Sequence, residues 1–487
     1  MKLFKGLFFL LSISFLFFSS CKKDQLLTDS SAKLEFSTDS VLFDTVFKYA
    51  GSTTKLFTIH NRHKQTMNIS KIFLASGSNS AYTLNVDGIS GKSLTDIEIL
   101  GNDSLYVFVQ VHVTPSQSAP LLIKDSIIFE TNGNTQDVKL TAIGQNVHLI
   151  KPDHFPTNGF PPYSIIGRSG FDTTLINDLP YLVFGYAVVD SACKLTISPG
   201  VHMYFHNYAC LFVYKEGTLI VDGITKGNEV TFQGDRLEID YKELPGQWRG
   251  IWLSALSKNN FINWSIIKNA TIGIQSDTVS STTAATLKLT NTIVKNMQVA
   301  ALYGQGTRIW SSNCLFANCG QYVAALTIGG SYKFEQCTFA NYWTGSQRTT
   351  STLALNNYYS SGGTTYIRPL DSCYFGNCII YGDIADEIGL DSASGAGVPP
   401  NIFSFKFNHC IIKSSLNTNS SLHYNTVYKN TYNPDFKDIS LNNYELKSSS
   451  QAIDKGDTGI VIPFDLNGVQ RPNTSTSIPD LGAYEFY

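Results

Sequence analysis

Four carboxylates fall within nine residues of one another: Asp235, Glu238, Asp240 and Glu243. Arg236 lies inside the run and Arg249 just beyond it. A cluster of this kind can do two sorts of chemistry. Its oxygens can ligate calcium, a hard cation that takes oxygen donors. Alternatively, a pair of its carboxyls can share the acid and base roles that glycosidic bond cleavage requires. Asp235, Glu238, Asp240 and Arg249 are therefore the catalytic candidates. Asp235, Glu238, Asp240 and Glu243 are the calcium candidates, and no cofactor other than calcium is expected. The competing reading is a salt-bridged loop that covers the edge of a sheet.

All five Trp lie between positions 248 and 343. A flat aromatic face can stack on the apolar C–H face of a sugar ring, and Trp310, Tyr342 and Trp343 are the candidates for that. The same rings could instead pack under loops. His60 and His63 read as turn histidines. His202 and His206 are four apart, which in a strand separates them by about 13 Å and makes a shared metal a poor reading. Asp383, Asp386, Glu387 and Asp391 fall in the stretch 382–391. They lack the alternating spacing and central glycine of a calcium loop, so the stretch reads as solvated.

A repeated phrase sets the elements that carry these residues. It reads Trp264-Ser-Ile-Ile-Lys-Asn269, Asn291-Thr-Ile-Val-Lys-Asn296, Asn313-Cys-Leu-Phe-Ala-Asn318, Gln336-Cys-Thr-Phe-Ala-Asn341, Asn377-Cys-Ile-Ile-Tyr-Gly382 and His409-Cys-Ile-Ile-Lys-Ser414. The small residues Ser265, Thr292, Cys314, Cys337, Cys378 and Cys410 are spaced by 27, 22, 23, 41 and 32 positions. A strand-like phrase with a period near 22 predicts stacked coils, with loops inserted where the spacing grows. Each coil would pair with its neighbours at about 4.8 Å. The small residues would form an inward ladder. Asn269, Asn296, Asn318 and Asn341 would form a second ladder at a bend, because Asn tolerates left-handed backbone.

This repeat resembles the right-handed parallel β-helix family, the pectin-lyase-like solenoids. Leu195-Thr-Ile-Ser-Pro-Gly200 and Gly217-Thr-Leu-Ile-Val-Asp-Gly223 are similar to the opening coils of bacterial members. Phe232 to Trp252 resembles a segment that recurs in lipoprotein β-helices. Asn433-Pro-Asp-Phe436, Gln451-Ala-Ile-Asp-Lys-Gly456, Asp465-Leu-Asn-Gly-Val-Gln-Arg-Pro472 and Pro479-Asp-Leu-Gly-Ala-Tyr-Glu-Phe486 resemble the family's C-terminal signature. The resemblance implies that this last segment caps the solenoid, with Asp454, Asp465, Arg471 and Asp480 holding it by local hydrogen bonds.

Residues 1–21 read as a lipoprotein signal peptide. Lys2 and Lys5 precede the apolar run Leu7 to Phe18, which is too short to span a bilayer comfortably. Phe18-Ser-Ser-Cys21 resembles the lipobox of bacterial lipoproteins, with Phe18 in place of the usual Leu. Cys21 is the expected lipidation site, and the expected location is the cell envelope, anchored in the outer membrane. Residues 22–32 read as a tether. Residues 33–148 carry about seven short alternating segments, which predict a β-sandwich. Phe43-Asp-Thr-Val46, Phe57-Thr-Ile-His-Asn61 and Val109-Gln-Val-His-Val-Thr-Pro115 resemble Ig-like modules of the Hydin and major-sperm-protein type, which implies a spacing or binding role. Residues 149–180 form a proline-punctuated junction. Residues 181–487 are the expected solenoid, with the cap from about 433. The expected fold class is therefore all-β: an N-terminal Ig-like β-sandwich followed by a right-handed parallel β-helix.

Only 15% of the residues are charged and the net charge is −2, so no nucleic-acid surface is expected. Eight Cys remain besides Cys21. Four of them occupy the position that Ser265 and Thr292 fill elsewhere, which favours a reduced inward ladder, although stacked neighbours would lie within disulfide reach. No Cys-x-x-Cys pair exists, which argues against zinc.

The function expected is a lipid-anchored rod that binds polysaccharide or another envelope component without catalysis. One alternative is a lyase or hydrolase of an acidic glycan, and another is a purely structural envelope protein. The resemblance implies lyase or hydrolase activity in some relatives. The polygalacturonase Asn-Thr-Asp-Gly, Asp-Asp, Gly-His-Gly and Arg-Ile-Lys motifs are absent, as are the pectate-lyase Trp-x-Asp-His and Arg-x-Pro-x-x-Arg motifs. Fold alone does not decide between these readings.

Overall fold

The computed structural model describes residues 26–114, 120–168, 170–278, 284–394, 401–474 and 476–487. The signal peptide and Cys21 lie outside the described residues. The chain divides into two compact units, 1–146 and 147–487. Among the described residues the only helical turns are two short 3-10 turns, Gly77–Asn79 and Ile439–Leu441.

The first unit consists of two five-stranded sheets. One holds Glu35–Phe36, Lys55–His60, Ser104–Val111, Tyr82–Val86 and Ile89–Gly91. The other holds Ser40–Phe47, Asn134–Gln145, Leu121–Thr131, Met67–Leu74 and Ser93–Ile99. Alternation drives the packing. Ile69, Ile72 and Leu74 on one sheet meet Phe57, Ile59, Val107 and Val109 on the other in a shared apolar core. The strands Tyr82–Val86, Ile89–Gly91 and Ser93–Ile99 were not legible in the sequence. They are short and turn-rich, and Asp96 adopts a left-handed φ of 55° inside the last of them. Asn61 is fully buried, and its side-chain amide donates to the carbonyls of Gln65, Ile99 and Leu100.

The second unit is a solenoid with three parallel walls. The first wall runs from His148–Ile150 through Ser265–Lys268, Ile293–Met297, Leu315–Cys319, Thr338–Asn341, Ile379–Gly382 and the end of Phe403–Ile412 to the end of Tyr424–Lys429. The second wall starts at Tyr163–Gly167 and ends at Ile388–Asp391. The third starts at Thr173–Leu175 and ends at Tyr424–Lys429. Parallel pairing therefore begins at His148, upstream of the position expected from sequence. Pro152, Pro156, Pro161 and Pro162 sit between the strands His148–Ile150 and Tyr163–Gly167. A residue without an N–H is tolerated there, because a turn needs no ladder bond.

The repeated phrase opens the first wall, and its chemistry explains its composition. The leading residue is left-handed in all six copies, with φ between 44° and 54° at Trp264, Asn291, Asn313, Gln336, Asn377 and His409. The small residue that follows points inward and is buried. It donates to the carbonyl two residues back: Ser265 to Asn263, Thr292 to Thr290, Cys314 to Ser312, Cys337 to Glu335, Cys378 to Gly376 and Cys410 to Asn408. A short side chain with one donor meets both demands, which is why Ser, Thr and Cys interchange. All eight Cys from Cys193 to Cys410 are free thiols and buried. Burial pushes Cys210 and Cys319 up to about 12.

Two side-chain ladders run along the coils. At the turn before the first wall, Asn313 donates to Asn291, Asn291 to Asn263, and Asn263 to Asp222. At the turn after it, Asn318 donates to Asn296 and Asn296 to Asn269. Asn341, expected in the same ladder, departs from it. Its backbone is not left-handed, and its side-chain oxygen instead accepts from the N–H of Cys319 at 3.0 Å. Aromatic stacks fill the interior, with Phe334 on Phe375 at 5.1 Å and Phe375 on Phe407 at 4.9 Å.

The C-terminal segment from 433 adds no further coil. Its strands Phe436–Asp438 and Asn443–Leu446 pair with each other in antiparallel fashion. Phe436, Tyr444, Leu446, Leu466, Leu481 and Tyr484 pack on Leu315, Ala317, Ala340, Ile379 and Ile411. These are outward residues of the first wall, so the segment lies along the side of the solenoid. Arg471 anchors it through Glu485 at 3.3 Å and Asn313 at 3.2 Å, with both charged side chains 1% exposed. Asp465 accepts from the N–H groups of Asn467, Val469 and Glu485, and Asp480 from those of Asp454 and Phe486. Desolvation raises Asp480 to about 7.

Candidate functional site on the third wall

The carboxylate cluster lies on the loop that joins the first-wall strand Val230–Gly234 to the second-wall strand Gly250–Leu253. Its charges do not converge on one point. Asp235 bonds the ring nitrogen Nδ1 of His206 at 2.7 Å, an interaction that raises the His206 pKa. Arg236 Nε reaches both Glu238 oxygens at 3.0 Å, and its guanidinium lies 3.8 Å from the Tyr241 ring centroid. Glu243 accepts from Lys268 Nζ at 2.8 Å, Asp240 faces solvent, and Arg249 donates to Gln275 at 2.9 Å. The backbone carbonyls of Lys242 and Glu243 accept from Asn269 and Asn296, so the loop is docked on the Asn ladder. Among the described residues no group of three or more His, Cys, Asp or Glu is placed to hold a metal ion. The sequence cluster is therefore dispersed into local pairs.

The three aromatic candidates also separate. Tyr342 is half-buried, with Phe436 and Tyr444 of the C-terminal segment at 6.2 and 6.3 Å, so its faces are occupied. Trp343 is half-buried and donates through Nε1 to Ser346 at 2.9 Å, with its benzo edge against Gly345. Trp310 is 41% exposed on the outward face of the third wall. Tyr342 and Trp343 thus serve packing, and Trp310 remains an open face.

The register places Trp310 in a mixed ladder. Phe261 pairs with Lys288, Lys288 with Trp310, Trp310 with Lys333, Lys333 with Tyr374, and Tyr374 with Lys406. The alternation of burial along each strand sends these six side chains outward, between inward neighbours such as Leu287, Ile309, Tyr332 and Phe405. Aromatic and cationic side chains therefore alternate, and successive lysines lie two coils apart, about 10 Å. Lys288 Nζ stands 5.3 Å from the Trp310 ring centroid, a cation–aromatic contact. Lys333 pairs with Glu335 at 2.8 Å. Lys288 and Lys406 have no ion-pair partner among the described residues. Beside Trp310 lies a cavity of about 440 Å³ lined by Asn259, Asn260, Phe261, Ala285 and Lys288. Sequence reading found Trp310 but missed its lysines, because the neighbours are 22 and 23 positions away and only the register unites them.

One more polar constellation escaped the sequence. The Arg348 side chain is 1% exposed and holds the fully buried Glu387 in a bidentate pair at 2.8 and 2.7 Å. Glu387 also accepts from Thr352 N and Oγ1 and from Ile384 N. Arg348 also reaches Asp383 and donates to the carbonyls of Thr350 and Asn341. The stretch 382–391 was expected to be a solvated loop. The structure corrects this: Ile388–Asp391 is a second-wall strand, and Glu387 is a buried clamp.

Residues 188–339 match the family model described as right handed beta helix region. The match falls on the three parallel walls described above. This part of the chain is a right-handed parallel β-helix. No curated protein matches the chain. Solved structures with some likeness include the E. coli chaperone DraB, at 10% identity, 24% of this chain, 55% of that chain and TM-score 0.17. Another is the ASH / PapD-like domain of human CEP192, at 10% identity, 26% of this chain, 93% of that chain and TM-score 0.17. A third is a family 123 glycoside hydrolase from Clostridium perfringens, at 9% identity, 23% of this chain, 25% of that chain and TM-score 0.16. The matched stretch spans about half the DraB chain, and likeness at this level carries no argument. The β-helix thus rests on its own register and on the family model.

Proposed function

We propose that this protein is a lipid-anchored envelope protein whose β-helix binds a polysaccharide along the third wall, centred on Trp310, without catalysing its cleavage. Cys21 carries the anchor in this reading, and the N-terminal sandwich is an Ig-like spacer. The observation that supports it most is the exposed Trp310 face flanked by Lys288 and Lys333 on the neighbouring coils. An aromatic face receives the apolar side of a sugar ring. Lysines on either side supply donors to hydroxyls or carboxylates of the same chain. A linear polymer suits a face that repeats every second coil.

Affinity electrophoresis of the full chain through neutral and acidic polysaccharides tests the reading. The expected result is retardation by at least one polymer, lost in Trp310→Ala and retained in Trp343→Ala. Equal retardation of wild type and Trp310→Ala, or none in any gel, overturns it. The anchor is tested separately by fatty-acid labelling in a bacterial host, which Cys21→Ser should abolish.

A further inference from the structure

Two residues before Trp310 on the same strand and the same face, Arg308 opens a second cavity of about 510 Å³. The sequence builds it from a turn and a hairpin. Between the second and third walls the chain passes through Gly306, and on the next coil through Ile328, Gly329 and Gly330, all with positive φ. A Cβ at Gly330 would stand 2.4 Å from the Thr307 carbonyl oxygen, so only glycine lets the coils approach there. The antiparallel hairpin of Tyr358–Ser361 and Thr364–Ile367 follows, with Tyr359 stacked on Tyr366 at 4.9 Å. It brings Tyr359 and Arg368 to the cavity wall, opposite Arg308, Thr307 and Asp371.

The charges in this cavity do not balance. Among the described residues Asp371 is its only lining carboxylate, against two guanidinium groups. The Arg308–Asp371 separation is 3.8 Å, beyond hydrogen-bond reach. Arg308 Nε is buried and has no hydrogen-bond partner among the described residues. Among the described residues the Arg368 guanidinium makes no ion pair or side-chain hydrogen bond, although its backbone N–H donates to Asn357. A buried donor without an acceptor is costly. Two cations lining one cavity repel each other, and an anion placed between them would relieve that repulsion. Guanidinium groups bind planar or tetrahedral oxyanions through paired N–H bonds.

We propose that the Arg308–Arg368 cavity is an oxyanion-binding site, taking a carboxylate, sulfate or phosphate group. The guanidinium N–H groups of Arg308 and Arg368 supply the donors, and the Tyr359 hydroxyl completes the shell. As a socket for an anionic substituent of the polymer, it deepens the polysaccharide reading. As a site for a free anion, it stands without that reading.

Titration calorimetry on the full chain, at ionic strength held constant with chloride, decides this. The probes are sodium sulfate, sodium phosphate, glucuronate and glucose, against wild type, Arg308→Gln, Arg368→Gln and the remote control Arg236→Gln. The expected result is saturable binding of at least one oxyanion and none of glucose, weakened about tenfold or more by Arg368→Gln and unchanged by Arg236→Gln. Arg368 is exposed, so its variant keeps the test open if Arg308→Gln fails to fold. Binding of glucuronate in preference to the inorganic anions assigns the site to a sugar-borne group, and the reverse order to a free anion. No saturable binding, or binding indifferent to Arg368→Gln, overturns the site. If polymer is still retarded through Trp310 in that case, the polysaccharide reading survives and this site alone falls.

Discussion

Asn313 donates its side-chain amide to the side-chain oxygen of Asn291 at 2.8 Å, one coil away, while its own oxygen accepts from Arg471 at 3.2 Å. A backbone conformation and a side-chain bond are thus required of the same residue. Asn291→Gly keeps the left-handed backbone but loses the ladder bonds, and should destabilise by about 1 kcal/mol. Asn291→Val loses both and should destabilise by about 2–3 kcal/mol. Denaturant midpoints of the two variants check this. Equal midpoints would mean that φ = 49° imposes no selection.

The Arg348–Glu387 pair is buried on both sides. Removing one partner leaves the other charge desolvated and alone. Arg348→Met or Glu387→Leu should each destabilise by about 3–5 kcal/mol, and the double variant by less than the sum. A double-mutant cycle on thermal unfolding provides the measurement. Strict additivity would show that the two side chains are not coupled.

Cys378 donates to the Gly376 carbonyl as Ser265 donates to Asn263. Cys378→Ser should therefore be tolerated better than Cys378→Ala, by about 1 kcal/mol. In the wild type, the eight thiols from Cys193 to Cys410 should resist a thiol reagent at neutral pH until denaturant is added, since all are buried.

Asp480 has a pKa raised from 3.8 to about 7, chiefly by desolvation. The folded state therefore holds a proton that the unfolded chain has lost. The stability tied to that proton is fully present below the ordinary carboxylate value. It is lost as pH rises through about 7, at up to about 1.4 kcal/mol per unit. Asp480→Asn removes the titration, so the variant should gain stability relative to wild type between pH 4 and pH 7. Thermal midpoints across that range test it. A constant offset would place the Asp480 pKa near its usual value.

The sequence by itself determined the coil. A phrase of one polar, one small and two β-formers, recurring at solenoid spacing, admits few structures, because each of its positions meets a local demand. Trp264 to His409 supply the left-handed turn, Ser265 to Cys410 the inward donor, and the next residues the wall. In the C-terminal segment too the bonds are local, since Asp465, Arg471 and Asp480 bond largely within it.

The tertiary structure decided everything that depends on which coils become neighbours. Asp235, Glu238 and Glu243 are close in sequence yet bond three different side chains, His206, Arg236 and Lys268. Arg348 and Glu387 are 39 positions apart yet share one bidentate contact. Lys288, Trp310 and Lys333 become one surface only because their strands stack in register. In a solenoid the loop lengths between strands set that register. Those lengths vary freely from coil to coil, so local spacing carries the fold while the pairing of distant side chains is settled only when the coils close.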